Sequence, residues 1–240
     1  MINLLAKYFL IFYFYSIVGY FCEVISIYRL RKEFVWNRGY LLGPYLPVFG
    51  FGGLLITIFL TQYKEEPLTL FILGMVYCGT LEYLTSLLLE KIFHLRWWDY
   101  SKKKFNINGR ICLETSVMFG LGAIVLVYFS NTVLFNFINQ FPPIVVTTIA
   151  IVIFSIMLID FVISTIEIIR LKSDINLVGT KDATYELKKK MKESLQKNRY
   201  YYERILEAFP HLRISDERIK ELSKYLKEKN KRGEKNDKEE

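Results

Sequence analysis

Thr115–Ile159, TSVMFGLGAIVLVYFSNTVLFNFINQFPPIVVTTIAIVIFSIMLI, contains no Asp, Glu, Lys or Arg. A helix needs about 20 mostly apolar residues to cross the hydrocarbon core of a bilayer, so this stretch is long enough for two crossings. The polar, proline-bearing break Asn136–Pro143 divides them. Upstream lie three more uncharged runs, Tyr8–Cys22, Gly39–Tyr63 and Pro67–Leu81. Together the runs predict five transmembrane helices over roughly residues 6–28, 43–62, 67–90, 113–133 and 144–168. A content of 52% hydrophobic residues agrees with an all-α integral membrane protein rather than a soluble domain. Residues 1–170 form the transmembrane domain and residues 171–240 a basic cytoplasmic helical tail.

The first run ends in Glu23 and Arg29 with no small-residue cleavage site, so it reads as a retained span, not a signal peptide. Cys22, Cys78 and Cys112 are far apart and show no CxxC pairing, which indicates buried small apolar residues and neither a disulfide framework nor a metal cage. Orientation follows from the basic residues of the short loops. Arg29, Arg31, Lys32 and Arg38 cluster in the first loop, and Lys91, Arg96, Lys102, Lys103, Lys104 and Arg110 in the central one. The opposite loops offer only Lys7 and Lys64. The expected arrangement is a multi-pass protein of the bacterial plasma membrane, with its N-terminus outside and both basic loops and the tail inside. The net charge of +8 is then a topology signal and gives no reason to invoke nucleic acid.

The longest polar interval before the tail is Lys91–Glu114, KIFHLRWWDYSKKKFNINGRICLE. It reads as a cytoplasmic loop, with Trp97, Trp98 and Tyr100 as interfacial aromatics beside Asp99, and with Asn106 and Asn108 leading into the next span. Arg110 and Glu114 stand at i, i+4, where a helix could pair them and anchor the loop. A shift of 70 residues places Gly39 on Gly109 and Phe49-Gly50-Phe51-Gly52 on Phe119-Gly120-Leu121-Gly122. A shift of about 60 places Gly19 on Gly79 and brings Glu23 within one residue of Glu82. A duplicated two-helix hairpin, residues 10–62 and 70–133, is expected, with the fifth span appended. Pro44 and Pro47 read as a helix start followed by a glycine packing face, or as a broken segment lining a cavity.

Acids in or beside apolar spans are costly. Glu23, Glu82, Glu114, Asp160 and Glu167 all fall in the cytoplasmic half. Two explanations stand side by side. The acids pair with Arg38, Arg96 and Arg110 in a structural network, or they line a path for a cation or proton. Glu82 and Asp160 are the deeper pair. His94 and His211 are too isolated for a metal site, and no cofactor motif is present. There is no G-x-x-x-x-G-K-[ST], H-E-x-x-H or G-x-S-x-G, so any ATP is handled by another chain. In the tail, Tyr185–Phe209 and a segment capped by Ser215 read as basic helices able to lie on an anionic leaflet or meet a partner, and Lys227–Glu240 as a disordered end.

Several ordered motifs resemble one family. They are Gly19…Glu23, NRGYLLGPYLPVFG at 37–50, LEYLT at 81–85, LEK at 89–91, WWDYS at 97–101 and FNINGRICL at 105–113. Together they are similar to the bacterial membrane proteins described as ABC-transporter type IV, or CmpB-like, over about residues 10–130, and ILEAFP at 205–210 fits some members. The resemblance implies a permease-like, non-enzymatic component working with a separate ATPase. The residues themselves leave two alternatives, a membrane scaffold whose tail recruits an envelope or cytosolic protein, and an inner-leaflet enzyme using Glu82 and Asp160 as acid and base.

Overall fold

The computed structural model describes residues 2–32, 34–36, 39, 41–175, 208–209 and 213–214. Arg38 and the expected tail helices, apart from Ala208 and Phe209, lie outside the described residues. Among the described residues six α-helices follow one another: α1 (Ile2–Arg31), α2 (Pro47–Leu55), α3 (Pro67–Phe93), α4 (Leu113–Val125), α5 (Asn131–Asn139) and α6 (Pro143–Ile175). α2 runs on through a π turn, Ile56–Leu60, and a 3-10 turn to Tyr63. α4 passes through a second π turn, Leu126–Ser130, into α5. The chain is an all-α membrane protein, and its described residues include four long apolar helices, Ile2–Arg29, Pro67–Phe93, Leu113–Asn139 and Pro143–Arg170, plus the shorter Pro47–Tyr63.

Local chemistry explains the starts and stops. Pro47, Pro67 and Pro143 open their helices, where the missing N–H costs nothing. α1 and α3 end on left-handed residues that are not glycine, Lys32 (φ 59°) and His94 (φ 57°), each returning its N–H to the preceding turn at 2.8 Å. The break expected over Asn136–Pro143 is narrower in the structure, confined to residues 140–142 between α5 and α6. Helix continues to Asn139, where Lys7 donates to the Asn139 side chain at 2.6 Å.

Close backbone approach builds two hairpins. Gly50 of α2 sits on Phe12 and Ser16 of α1, and Gly120 of α4 sits on Phe71 of α3, with no room for a Cβ at either position. Pro44 and Pro47 therefore lead into a glycine packing face, the first of the two sequence readings. Between the hairpins the Asn131 side chain accepts from Tyr15 at 2.7 Å and Thr57 at 3.0 Å, tying α1, the α2 π turn and α5 together.

The Leu46 N–H donates to Ser16 O at 2.9 Å, so α2 begins opposite the middle of α1, which continues about 20 Å further. α4 likewise begins beside Gly79, leaving the end of α3 projecting by about 20 Å. Each connecting loop returns along the projecting helix. The central loop is thus a folded layer and not a free excursion. It contains β1 (Leu95–Arg96) and a hairpin of β2 (Asn106–Ile107) with β3 (Ile111–Cys112). β4 (Arg213–Ile214) comes back from the tail to pair antiparallel with β1, and Phe209 meets the Trp97 ring edge-on at 4.6 Å.

Candidate functional site

α3 presents Glu82, Tyr83, Ser86 and Glu90 along its projecting half, and the folded loop docks on them. The Asn108-Gly109 pair makes this possible. Both residues have positive φ (53° and 65°), and the turn closes from Arg110 N–H to Ile107 O at 3.0 Å. Two successive positive-φ positions are what a type I′ hairpin turn demands, and Asn-Gly is its preferred pair. A side chain at 109 would also run into the Asp99 carboxylate and the Ser101 hydroxyl. Asn106 braces the turn, accepting from Gly109 N–H at 3.0 Å and donating to Lys103 O at 2.8 Å. Asp99 accepts from the Ser101 N–H and hydroxyl.

The hairpin delivers Arg110 to Glu90 at 2.6 Å, with Ser86 Oγ at 3.3 Å and the guanidinium 5.8 Å over the Tyr83 ring. Arg96 approaches the same Glu90 at 3.8 Å and donates to Asn108 O. Asn108 donates to Tyr83 Oη at 2.9 Å, and Trp98 Nε1 to Arg110 O at 3.0 Å. These contacts correct the i, i+4 expectation. Arg110 pairs with Glu90, while exposed Glu114 takes Lys103 at 2.7 Å and raises that ammonium's pKa. The reason is local. α4 starts at Leu113 with Cys112 as its cap, so Arg110 is in a turn where helical spacing does not operate. The aromatics are also placed differently from the interfacial reading. Trp97 is buried, and Trp98 and Tyr100 are half-buried against protein.

Tyr100 reaches down to Glu82, donating to Oε1 at 3.2 Å. Glu82 Oε2 is buried with no hydrogen-bond partner among the described residues. Glu23, half-buried on α1, lies near enough for its charge to act on both Glu82 and Tyr100. Burial first, then these two carboxylates, hold the Tyr100 phenol above its ordinary pKa, so it remains a donor. Two acids from different helices and a loop phenol therefore share one half-buried centre at the level where α4 begins.

Asp160 stands apart from that centre. It is 8% exposed and accepts from Leu42 N–H and Gly43 N–H, both at 2.8 Å, from Ser164 Oγ at 2.9 Å and from Tyr45 Oη. The strap of residues 41–46 is wrapped around this carboxylate, and no hydrogen bond joins it to Glu82 among the described residues. Glu167, buried about two turns further along α6, pairs with Arg170 at 2.7 Å. Of the cysteines, Cys78 and Cys112 are buried as expected, but Cys22 is exposed. The sequence reading missed Tyr15, Thr57 and Asn131, uncharged polar residues inside apolar runs. Asn131 was the available signal, since a buried amide needs partners.

A family model described as Putative ABC-transporter type IV matches residues 10–165. The chain belongs to that family. No curated protein and no solved structure matches it.

Proposed function

We propose that this chain, as a member of the ABC-transporter type IV family, is a permease-like component of a transport system in the bacterial plasma membrane. Its N-terminus would lie outside, with the folded loop and tail inside. A separate ATPase would supply the energy. Residues 10–62 and 70–133 would be its two repeats. Support for the repeats comes from the two π turns, which stand 70 residues apart, and from the matching contacts Gly50–Phe12 and Gly120–Phe71.

The observation that carries the reading is the open acceptor oxygen of Glu82, buried at the membrane boundary beside Glu23 and Tyr100. Tyr100 serves only one oxygen of this carboxylate, and a buried carboxylate so sparsely hydrogen-bonded is costly unless a proton or cation neutralises it. Asp160 and Arg110 would be structural, one holding the 41–46 strap and the other the loop. Asp160 already accepts from four donors, so an acid–base pair with Glu82 has no support. The scaffold reading draws on one fact, the docking of Phe209 and β4 on the loop, which gives the tail a seat that a partner could exchange for.

The test is ligand-induced stabilisation of purified protein across a panel of inorganic and organic monovalent cations. A binding cation raises the melting midpoint by mass action. At least one cation is expected to stabilise the native protein by several degrees, roughly 2–3 kcal/mol at saturating ratios, and to lose that effect in Glu82→Gln. Equal responses of both proteins to every cation would contradict the reading.

A further inference from the structure

The outer side of the hairpin carries chemistry that the Glu82 centre does not use. Phe105, Ile107 and Leu113 are exposed, and with Met75, Val76 and Ile111 they line a groove of about 330 Å³. Its floor belongs to the apolar part of α3 and its wall to the first residue of α4, so it opens sideways where the uncharged runs end. One rim is basic. Lys102, Lys103 and Lys104 are all exposed, and Lys104 immediately precedes Phe105. The Lys103–Glu114 bond at 2.7 Å fixes this segment beside Leu113. Glu114 offsets Lys103, and among the described residues no carboxylate is paired with Lys102 or Lys104.

Ammonium groups carried on the segment that enters an apolar trough, at the boundary of a bilayer, complement a molecule with a negative head and a hydrocarbon tail. A soluble anion would have no use for the trough, and a neutral lipid none for the lysines. We propose that this groove binds one anionic phospholipid, its phosphate on Lys102 and Lys104 and an acyl chain along Met75, Val76, Ile111 and Leu113. The site is independent of the transport reading, because it shares no residue with the Glu82 centre.

The experiment is native mass spectrometry of the delipidated full-length protein titrated with phosphatidylglycerol, phosphatidylcholine or glycerol 3-phosphate. Phosphatidylglycerol is expected to bind on the order of tenfold more tightly than phosphatidylcholine. Lys102→Gln with Lys104→Gln removes that preference. Val76→Trp, which fills the trough from an exposed position, weakens phosphatidylglycerol binding by a comparable factor. Unchanged melting midpoints in both variants certify the fold. Equal binding of the two lipids by the native protein would overturn the proposal. So would glycerol 3-phosphate binding as tightly as phosphatidylglycerol, or retention of the lipid by Val76→Trp.

Discussion

Asp160→Ala is expected to lower the stability of the protein in detergent by about 3–5 kcal/mol, the largest loss from any single substitution considered. The carboxylate accepts from two backbone N–H groups and two hydroxyls. Removing it strands all four donors at a position only 8% exposed. The melting midpoint falls by roughly 10 °C on the scaling for chains of this size. Asp160→Asn loses less, since its amide keeps one acceptor oxygen and turns a donor toward the others. Thermal denaturation of the purified variants checks both values and their order. An alanine variant melting with the native protein would mean that the 41–46 strap is held by other contacts.

Arg110→Ala follows, at about 2–3 kcal/mol. Arg110 and Glu90 are each 13% exposed, so the pair is screened only in part. Its loss leaves Glu90 with Arg96 at 3.8 Å and strips the loop of its contacts with Ser86 and Tyr83. The cost falls on docking of the loop, not on the spans, and should appear as local opening. Cys112, buried on the β3 strand of the hairpin, reports it. In a Cys22→Ser background, maleimide labelling of Cys112 should accelerate on the order of tenfold or more in Arg110→Ala. An unchanged labelling rate would show that the hairpin stays docked without the pair.

The membrane-embedded part of this fold was readable because charge is excluded from hydrocarbon. The uncharged runs of α1, α3 and α6 end at Cys22, Leu81 and Ile159, and α4 begins close to the level that Leu81 marks on α3. Helix ends were not readable from the same signal. Polar residues past Glu23, Glu82 and Asp160 remain helical, and the stops at Lys32 and His94 lack the usual glycine. The Asn108-Gly109 turn was legible in principle. Overlooking it made Arg110–Glu114 look like a helical pair. The role of Asp160 was hidden for a different reason. Half its donors are backbone N–H groups of Leu42 and Gly43, which any sequence would supply, and only the fold brings them across more than 100 residues. Glu82 stands out in the sequence as the acid that ends an uncharged run, but its neighbours Tyr100 and Glu23 depend on how the loop and α1 pack.

The claim that this protein works as the membrane component of an ATP-driven system is tested most directly by its partners. Affinity-tagged full-length protein, a version ending at Arg170, and Arg110→Ala would be recovered from native membranes in mild detergent and assayed for ATP hydrolysis. The account predicts ATPase activity co-eluting with the full-length protein and reduced in Arg110→Ala, whose loop is undocked. An eluate without ATPase activity, carrying instead an envelope protein that disappears with the tail, would contradict it and leave a scaffold.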